Sequence, residues 1–491
     1  MQTAIVNVLP GQAGATINPN LYGHFAEHLG RCIAGGIWVG DDSAIPNDRG
    51  IRLDTVDALR RLALPVLRWP GGCFADNYHW RDGIGPREAR PTRLNIWWLQ
   101  GESNALGTHE FMRFCRMIGT EPYFCANVGS GSPEEARSWL EYCNARQDTT
   151  LTRERAANGD PEPFNVRYWG VGNESWGCGG SMTPEYYAHQ YRQYATYLRQ
   201  GGGDVMLIAC GSHQGIMSWD DRFLESLKGA EGLVDALALH NYSGGGTPEV
   251  DFTDNQYHNL LTAVGCMDAH ITHAAGVCRA HATPEHPIKV IMDEWGTWYR
   301  EATTERGLYQ ANTMQDAIFT ALAFQMFQRH AADLVMTNMA QTVNVLQALV
   351  LTEGPRLCVT PTYWVYDLFT PHRNGAWVPA TVQGSALTLP NGQTVPGCSV
   401  SASIVEHTLS LSLVNTNIDD SCTVTITAAG RHFARIKSAR LLTAPSVRAH
   451  NTPQAPHVVA PGDLPVAMLP ETLTVTLPSC AVAMIEVELA S

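Results

Sequence analysis

No stretch of this sequence approaches the roughly 18 consecutive apolar residues that a membrane-spanning helix needs, so no membrane partner is expected. The opening residues, Met-Gln-Thr-Ala-Ile-Val-Asn-Val-Leu-Pro-Gly-Gln, have no charged leader, no long apolar run and no cleavage site. No secretory signal is therefore expected, and the cytoplasm is the expected location. Charge is sparse: 16% of the 491 residues are Asp, Glu, Lys or Arg, and the balance is −14 with His neutral. An acidic chain without clustered Lys and Arg makes poor phosphate contacts, which argues against nucleic acid and suits a neutral substrate. The 13 cysteines include no Cys-x-x-Cys pair with zinc-finger spacing. They are scattered, odd in number and mostly in apolar contexts such as Phe-Cys125-Ala, so buried reduced thiols are expected. Low-complexity tracts are missing too. With 44% hydrophobic residues the composition is that of a folded protein, and its length suggests two domains.

Short apolar runs, each bounded by turn or polar residues, recur at 21–25, 65–69, 122–128, 166–172, 205–210, 234–240, 288–293 and 333–337. Continuous apolar runs suit strands buried on both faces, as in a parallel sheet. Helical patterns lie between several of them. Met314, Ala317, Ile318, Ala321 and Leu322 mark one face of the clearest. Eight strands alternating with helices indicate a (β/α)₈ TIM barrel over 18–370. After about residue 370 the period changes to two. Leu409, Leu411 and Leu413 alternate with small polar residues, as do Val424 and Ile426, and Leu473, Val475 and Leu477; a last strand runs over 482–489. This indicates a C-terminal antiparallel β-sandwich, jelly-roll-like, over 371–491. The alternating segment within 1–17 is expected to join that sandwich.

In such a barrel, catalytic groups sit at the C-terminal ends of the strands. The ends of the eight runs supply His24, Glu27 and His28; Arg68 and Cys73; Asn127; Asn173 and Glu174; His213; His240 and Tyr242; Asp293 and Glu294; and Asn338. Glu174 and Glu294 stand out. They end runs four and seven, 120 residues apart, and each is followed closely by a tryptophan, Trp176 and Trp295. Cleaving a glycosidic bond with retention needs an acid for the leaving oxygen and a carboxylate on the opposite ring face, about 5–5.5 Å apart. Facing strands of one barrel can supply that spacing. A single Glu is usually a surface or ion-paired residue; two at matched strand ends favour catalysis.

The stretches Leu-Tyr-Gly-His-Phe-Ala-Glu27-His-Leu-Gly-Arg, Leu-Arg68-Trp-Pro-Gly-Gly-Cys73, Gly-Thr-His-Glu-Phe, Tyr-Trp-Gly-Val-Gly-Asn173-Glu174, His240-Asn-Tyr242, Asp-Glu294-Trp-Gly and Asn344-Val-Leu-Gln347 resemble the α-L-arabinofuranosidases of glycoside hydrolase family 51. The resemblance covers about 16–370 and, more loosely, the C-terminal sandwich. It implies a double displacement that releases terminal α-L-arabinofuranosyl residues from hemicellulose-derived oligosaccharides, with Glu294 as nucleophile and Glu174 as general acid/base. It further implies that Asn173 binds the 2-hydroxyl, that Glu27 accepts bonds from furanose hydroxyls and that Arg68 keeps Glu294 ionised. Cys73, Tyr242 and Gln347 would shape the subsite, with His240 beside it. No metal, no organic cofactor and a homo-oligomer, in many members a hexamer, are implied too. Trp98 and Trp298 are candidates to stack on sugar, although buried Trp is usually core. Taken alone, Arg68 also reads as a structural ion-pair partner, His240 as a core histidine and Cys73 as packing.

The sequence departs from the family at Asn77, where an acidic residue is usual. It also departs at Asn95-Ile-Trp97-Trp98-Leu99-Gln100, which replaces Asn-Thr-His-Trp-Gly-Gly and implies a reshaped leaving-group side. Other readings remain. β-Xylosidase or endoglucanase activity suits the same scaffold. His24-Phe-Ala-Glu27-His28 matches a zinc-hydrolase motif, though that motif needs a helix and the flanking Pro and Gly leave little room for one. Gly170-Val-Gly172 lacks the third glycine of a dinucleotide loop. A non-catalytic carbohydrate-binding protein would keep the tryptophans without needing both carboxylates.

Overall fold

The computed structural model describes residues 2–200, 203–384, 386–388, 392 and 394–490. Eight parallel strands close into a barrel: β1 (Gly23–Phe25), β2 (Val66–Trp69), β3 (Glu121–Ala126), β4 (Tyr168–Val171), β5 (Met206–His213), β6 (Ala236–Ser243), β7 (Lys289–Thr297) and β8 (Leu334–Ala340). Each overlaps one apolar run, and β8 closes onto β1 through Asn338, Met339 and Ala340. Side chains alternate across a strand. Val66 and Ile291 therefore join Tyr123, Tyr168, Ile208 and Met336 in an apolar plug inside the barrel. Two residues further on, Arg68 and Asp293 take the same direction and approach to 3.2 Å. The charged layer thus sits directly on the plug, at the C-terminal end of the strands.

The C-terminal region is two facing sheets. One contains Ala380–Gly384, Gln2–Val8, Cys422–Ala428, Leu473–Leu477 and Val466–Met468. The N-terminal strand Gln2–Val8 pairs parallel with Cys422–Ala428 and antiparallel with Ala380–Gly384. The second sheet carries Cys398–Val405, Thr408–Asn415, Ala481–Leu489 and Phe433–Thr443 at its centre. Leu409, Leu411 and Leu413 enter the core between the sheets.

Alternation usually marks a wet outer face, yet Ser401, Ser410 and Ser412 are buried too. Their face lies against the barrel helix Met314–Arg329, all of which is buried from Met314 to Gln328. Gln325 donates to the Ser412 carbonyl (3.0 Å) and accepts from Ser399 (2.6 Å), and Gln328 accepts from Ser401. Gln325 and Gln328 reach the sandwich, and Gln328 also donates to the Tyr22 hydroxyl of the barrel (2.9 Å). A helix covered on both sides in this way fixes one unit against the other.

Candidate active site

Strand β7 carries the local irregularity that builds the site. Its register with β6 pairs Leu239 with Met292 but His240 with Glu294, so Asp293 is an extra, bulged residue. In a regular strand Asp293 and Glu294 would face opposite sides; the bulge turns both carboxylates into the barrel. Trp295 consequently points outward. It is fully buried among Phe319, Phe324 and Phe327, with its indole N–H on Thr337 (3.2 Å), so it is core and does not flank the site.

Arg68, on β2, is the buried cation under both carboxylates. It donates to Glu294 Oε1 at 2.7 Å and to Asn173 Oδ1 at 2.6 Å, and its Nε lies 3.2 Å from Asp293. Its guanidinium rests 4.6 Å from the centre of the Phe25 ring. Asp293 also accepts from Tyr123 (2.8 Å) and Asn338 (2.7 Å). A buried arginine is tolerated only when its charge is met, as Asp293 and Glu294 meet it here. The second oxygen of Glu294 accepts from the Tyr242 hydroxyl at 2.8 Å. Burial alone would raise the Glu294 carboxyl; the charges of His240 and Arg68 and the Arg68 and Tyr242 hydrogen bonds outweigh it and hold the group below the usual carboxylate range. The Gly-Gly pair after β2 lets the chain pass this close. A Cβ on Gly72 would sit 2.7 Å from Glu294 Oε1, and one on Gly71 would sit 2.7 Å from Glu27 Cγ.

Glu174 stands just beyond β4 with φ of +42°, a backbone conformation that costs a non-glycine residue about 1 kcal/mol or more. The turn is held by Asp76, which accepts from the backbone N–H of Asn173 (2.9 Å), Val128 (2.7 Å) and Gly129 (2.8 Å). Glu174 Oε1 lies 2.9 Å from His240 Nδ1, which is 3.7 Å from Glu294 Oε2. Burial would lower the His240 pKa, but the two carboxylates raise it above the ordinary value. Glu174 Oε2 lies 3.5 Å from Cys178 Sγ, and Cys178 forms a disulfide with Cys73. This corrects the expectation of reduced thiols throughout: the bridge ties the segment after β2 to the Glu174 turn. The other eleven cysteines are free, and ten of them are buried.

Glu27 follows β1 on the opposite wall. Its carboxylate accepts from the Phe74 N–H (3.0 Å), the Trp98 indole (3.2 Å) and Gln341 (2.8 Å). Burial and the Glu294 charge nevertheless push its pKa up to about 7. Trp98 thus reaches the site through its indole N–H. Trp298 is half-buried, edge-on to Tyr242 at 5.3 Å, and donates to the Ala302 carbonyl. Gln347 is fully buried; its amide accepts from Thr297 N–H (3.0 Å) and donates to Thr320 (2.7 Å) and Thr362 (3.1 Å). Its contacts are with the scaffold that carries the end of β7.

The motif His24-x-x-Glu27-His28 is not helical: His24 lies in β1. His24 Nδ1 faces the Thr342 hydroxyl, while His28 accepts from Trp69 (3.0 Å) and pairs with Glu102 (2.8 Å). The three residues occupy separate environments, which disfavours the zinc-hydrolase reading. Among the described residues, two groups have ligand atoms within 4.8 Å of one another: Glu174, His240 and Glu294, and Cys73, Glu174 and Cys178. In the second group the sulfurs are spent on the disulfide. In the first, one oxygen of each carboxylate falls within that distance, too close to admit the intervening water of an inverting glycosidase. Asp76, Tyr123, Cys178 and Gln341 were not singled out from the sequence for this site. Asp76 and Cys178 lie close to motif residues, but only the folded chain reveals their partners.

Residues 58–256 match the model of the alpha-L-arabinofuranosidase 1 domain, and residues 293–480 match that of the alpha-L-arabinofuranosidase C-terminal domain. The chain is 38% identical over 504 residues to an intracellular exo-alpha-L-arabinofuranosidase of Bacteroides ovatus, covering 99% of this chain and 96% of that one. The crystal structure of the GH51 arabinofuranosidase of Xanthomonas axonopodis pv. citri superposes with a TM-score of 0.95 at 36% identity, covering 99% of this chain and 100% of the other. An arabinose complex of the Thermotoga maritima alpha-L-arabinofuranosidase superposes with a TM-score of 0.87 at 32% identity, over the same shares of the two chains. A bifunctional glucanase-xylanase, CelM2, shares the fold at 13% identity and a TM-score of 0.60.

Proposed function

The chain belongs to the α-L-arabinofuranosidases of glycoside hydrolase family 51, and from that premise we propose how its residues divide the work. It is an exo-acting α-L-arabinofuranosidase that releases terminal non-reducing arabinofuranosyl residues by a retaining double displacement. Glu294 attacks the anomeric carbon while Glu174 gives its proton to the leaving oxygen. Glu174 then takes a proton from water, which attacks the same carbon and frees Glu294.

One observation carries the assignment of roles: the two carboxylates have opposite environments. Glu294 is 7% exposed and receives an arginine and a phenol, so it stays ionised and aimed. Glu174 is 19% exposed and faces His240, so it can exchange protons and meet water. Asn173, oriented by Arg68 through its carbonyl oxygen and donating one amide N–H to Cys178 Sγ at 3.7 Å, offers its other N–H to the sugar 2-hydroxyl, where a bond strengthens as the ring gains positive charge. Glu27 receives the other hydroxyls. His240, bonded to Glu174 and near Glu294, relays the charge change between them, and Tyr242 moderates the nucleophile. Trp98 and Trp298 border the sugar, Cys73 closes it on the disulfide side, and Gln347 fixes the β7 end.

The natural substrates we propose are arabinofuranosyl oligosaccharides from arabinan or arabinoxylan. Cytoplasmic residence is supported by the intracellular relative and by the ten buried free thiols. The test is a set of aryl glycosides that differ only in the sugar, with Glu294→Ala as control. The arabinofuranoside should exceed the xylopyranoside and glucopyranoside by about a hundredfold or more in kcat/KM. Equal pyranoside turnover would overturn the sugar assignment.

A further inference from the structure

Glu174 sits in a turn that is anchored on both sides and strained between the anchors. Before it, the Asn173 N–H donates to Asp76 Oδ2 at 2.9 Å. After it, the Ser175 N–H donates to Cys210 Sγ at 3.3 Å and the Trp176 indole donates to the Gly211 carbonyl at 2.9 Å, both acceptors lying on β5. Glu174 itself holds φ of +42°, and its carbonyl accepts from the N–H groups of Gly177 (2.7 Å) and Gly179 (3.1 Å). Those last bonds close the turn; the anchors set where it lies in the barrel mouth. Asp76 is the anchor on the β2 side. It is 5% exposed, and its other oxygen accepts from the N–H groups of Val128 (2.7 Å) and Gly129 (2.8 Å), just beyond β3. It has little room to move: a Cβ on Gly179 would come within 2.7 Å of its Oδ2, and one on Gly129 within 2.8 Å of its Cβ. The segments after β2 and β3 are joined without this side chain as well, because the Ser130 hydroxyl donates to the Asp76 carbonyl (2.8 Å) and the Asn127 amide to the Tyr78 carbonyl (3.1 Å). The carboxylate extends that joined pair to the main chain of Asn173.

We propose, resting on the division of roles given above, that Asp76 is a positioning residue for the acid/base: through the Asn173 N–H it fixes the Glu174 carboxyl against the leaving oxygen, and it does so as a carboxylate. Both of its oxygens face N–H donors, so both must accept. An amide in the same place can keep the Val128 and Gly129 bonds only by turning its own N–H groups toward the Asn173 N–H. Donor then meets donor in a buried site, and the turn is displaced. The step that suffers is protonation of the leaving oxygen. Asn173 keeps its side-chain bond to Arg68 at 2.6 Å, and Glu294 is held independently by Arg68 on β2 and Tyr242 on β6.

The test measures kcat/KM on methyl and dinitrophenyl α-L-arabinofuranoside for Asp76→Asn and Asp76→Ala, each alone and combined with Glu174→Gln. Methanol needs the acid to leave, and dinitrophenol does not. Each single variant should lose about 10²-fold on the methyl glycoside, the cost of a reacting group misplaced by roughly 1 Å, and about threefold or less on the dinitrophenyl glycoside. The ratio of the two substrates is internal to each protein, so a misfolded fraction does not move it. In the Glu174→Gln background either change at Asp76 should cost the methyl glycoside only about threefold more or less, since no acid remains to be misplaced. Equal losses on both substrates, an Asn variant that matches the wild type while the Ala variant does not, or losses that multiply in the double variants would each overturn the proposal and make Asp76 a structural residue only. Equal losses on the two substrates in Glu174→Gln itself would instead defeat the division of roles, and this proposal with it.

Discussion

The floor and the rim of the barrel mouth are built on opposite principles. On the floor, Arg68, Asp293, Glu294, Tyr123 and Asn338 are buried, and each side chain meets its partners at hydrogen-bond or ion-pair distance. At the rim, Glu174 and Leu99 hold left-handed backbone conformations, and the 94–99 turn shows apolar groups to water. The floor is over-determined and suits chemistry that must not vary. The rim stores local cost and suits proton exchange.

Substitutions can break that contrast. The largest effect belongs to the floor: Glu294→Gln should lower kcat by about 10⁴-fold or more on every substrate, because no second carboxylate occupies its place. Equal activity on any arabinofuranoside would contradict it. Next is Glu174→Gln, which should cost about 10²- to 10⁴-fold in kcat/KM on alkyl glycosides and far less in kcat/KM on aryl glycosides with acidic leaving groups. Steady-state kinetics across leaving groups separates this from a folding defect, which would lower all substrates alike. Arg68→Met should shift the acid limb of kcat/KM to higher pH, since the cation that holds Glu294 low is gone; an unmoved limb would make Arg68 purely structural.

A dithiol that opens the Cys73–Cys178 bridge should lower kcat/KM by about tenfold, through loss of position at Glu174 and Asn173. A Cys73→Ser/Cys178→Ser protein should be slow from the start and indifferent to the dithiol. The smallest effect concerns stability. Glu27 has a folded pKa of about 7, above its ordinary value of 4.5. Between those values the folded chain keeps a proton that the unfolded chain has lost, so stability falls as pH rises through the window. Glu27→Gln removes that contribution, and its Tm should decline less across the window than that of the wild type.

The same contrast explains what the sequence disclosed. All eight barrel strands were legible, because burial on both faces leaves continuous apolar runs. Glu174 and Glu294 were legible because strand ends collect polar groups in a barrel. The outward direction of Trp295 could not be read from the sequence, because a bulge at Asp293 resets the in-and-out alternation and nothing in Lys-Val-Ile-Met-Asp-Glu-Trp announces it. The disulfide could not be read either, since Cys73 and Cys178 are 105 residues apart and share no spacing pattern. The burial of Ser410 and Ser412 could not be read from the sequence, because alternation reports a second environment without saying whether it is water or a helix. Gln341, which holds Glu27, carried no signal at all.

The division of roles between the two carboxylates is tested most directly by trapping the intermediate. Glu174→Gln protein given an aryl arabinofuranoside with an acidic leaving group should accumulate a covalent arabinosyl adduct, because glycosylation proceeds without the acid while deglycosylation lacks its base. Peptide mass spectrometry should locate the sugar on the segment containing Glu294. An adduct on any other carboxylate, or product released with inverted configuration, would contradict the account.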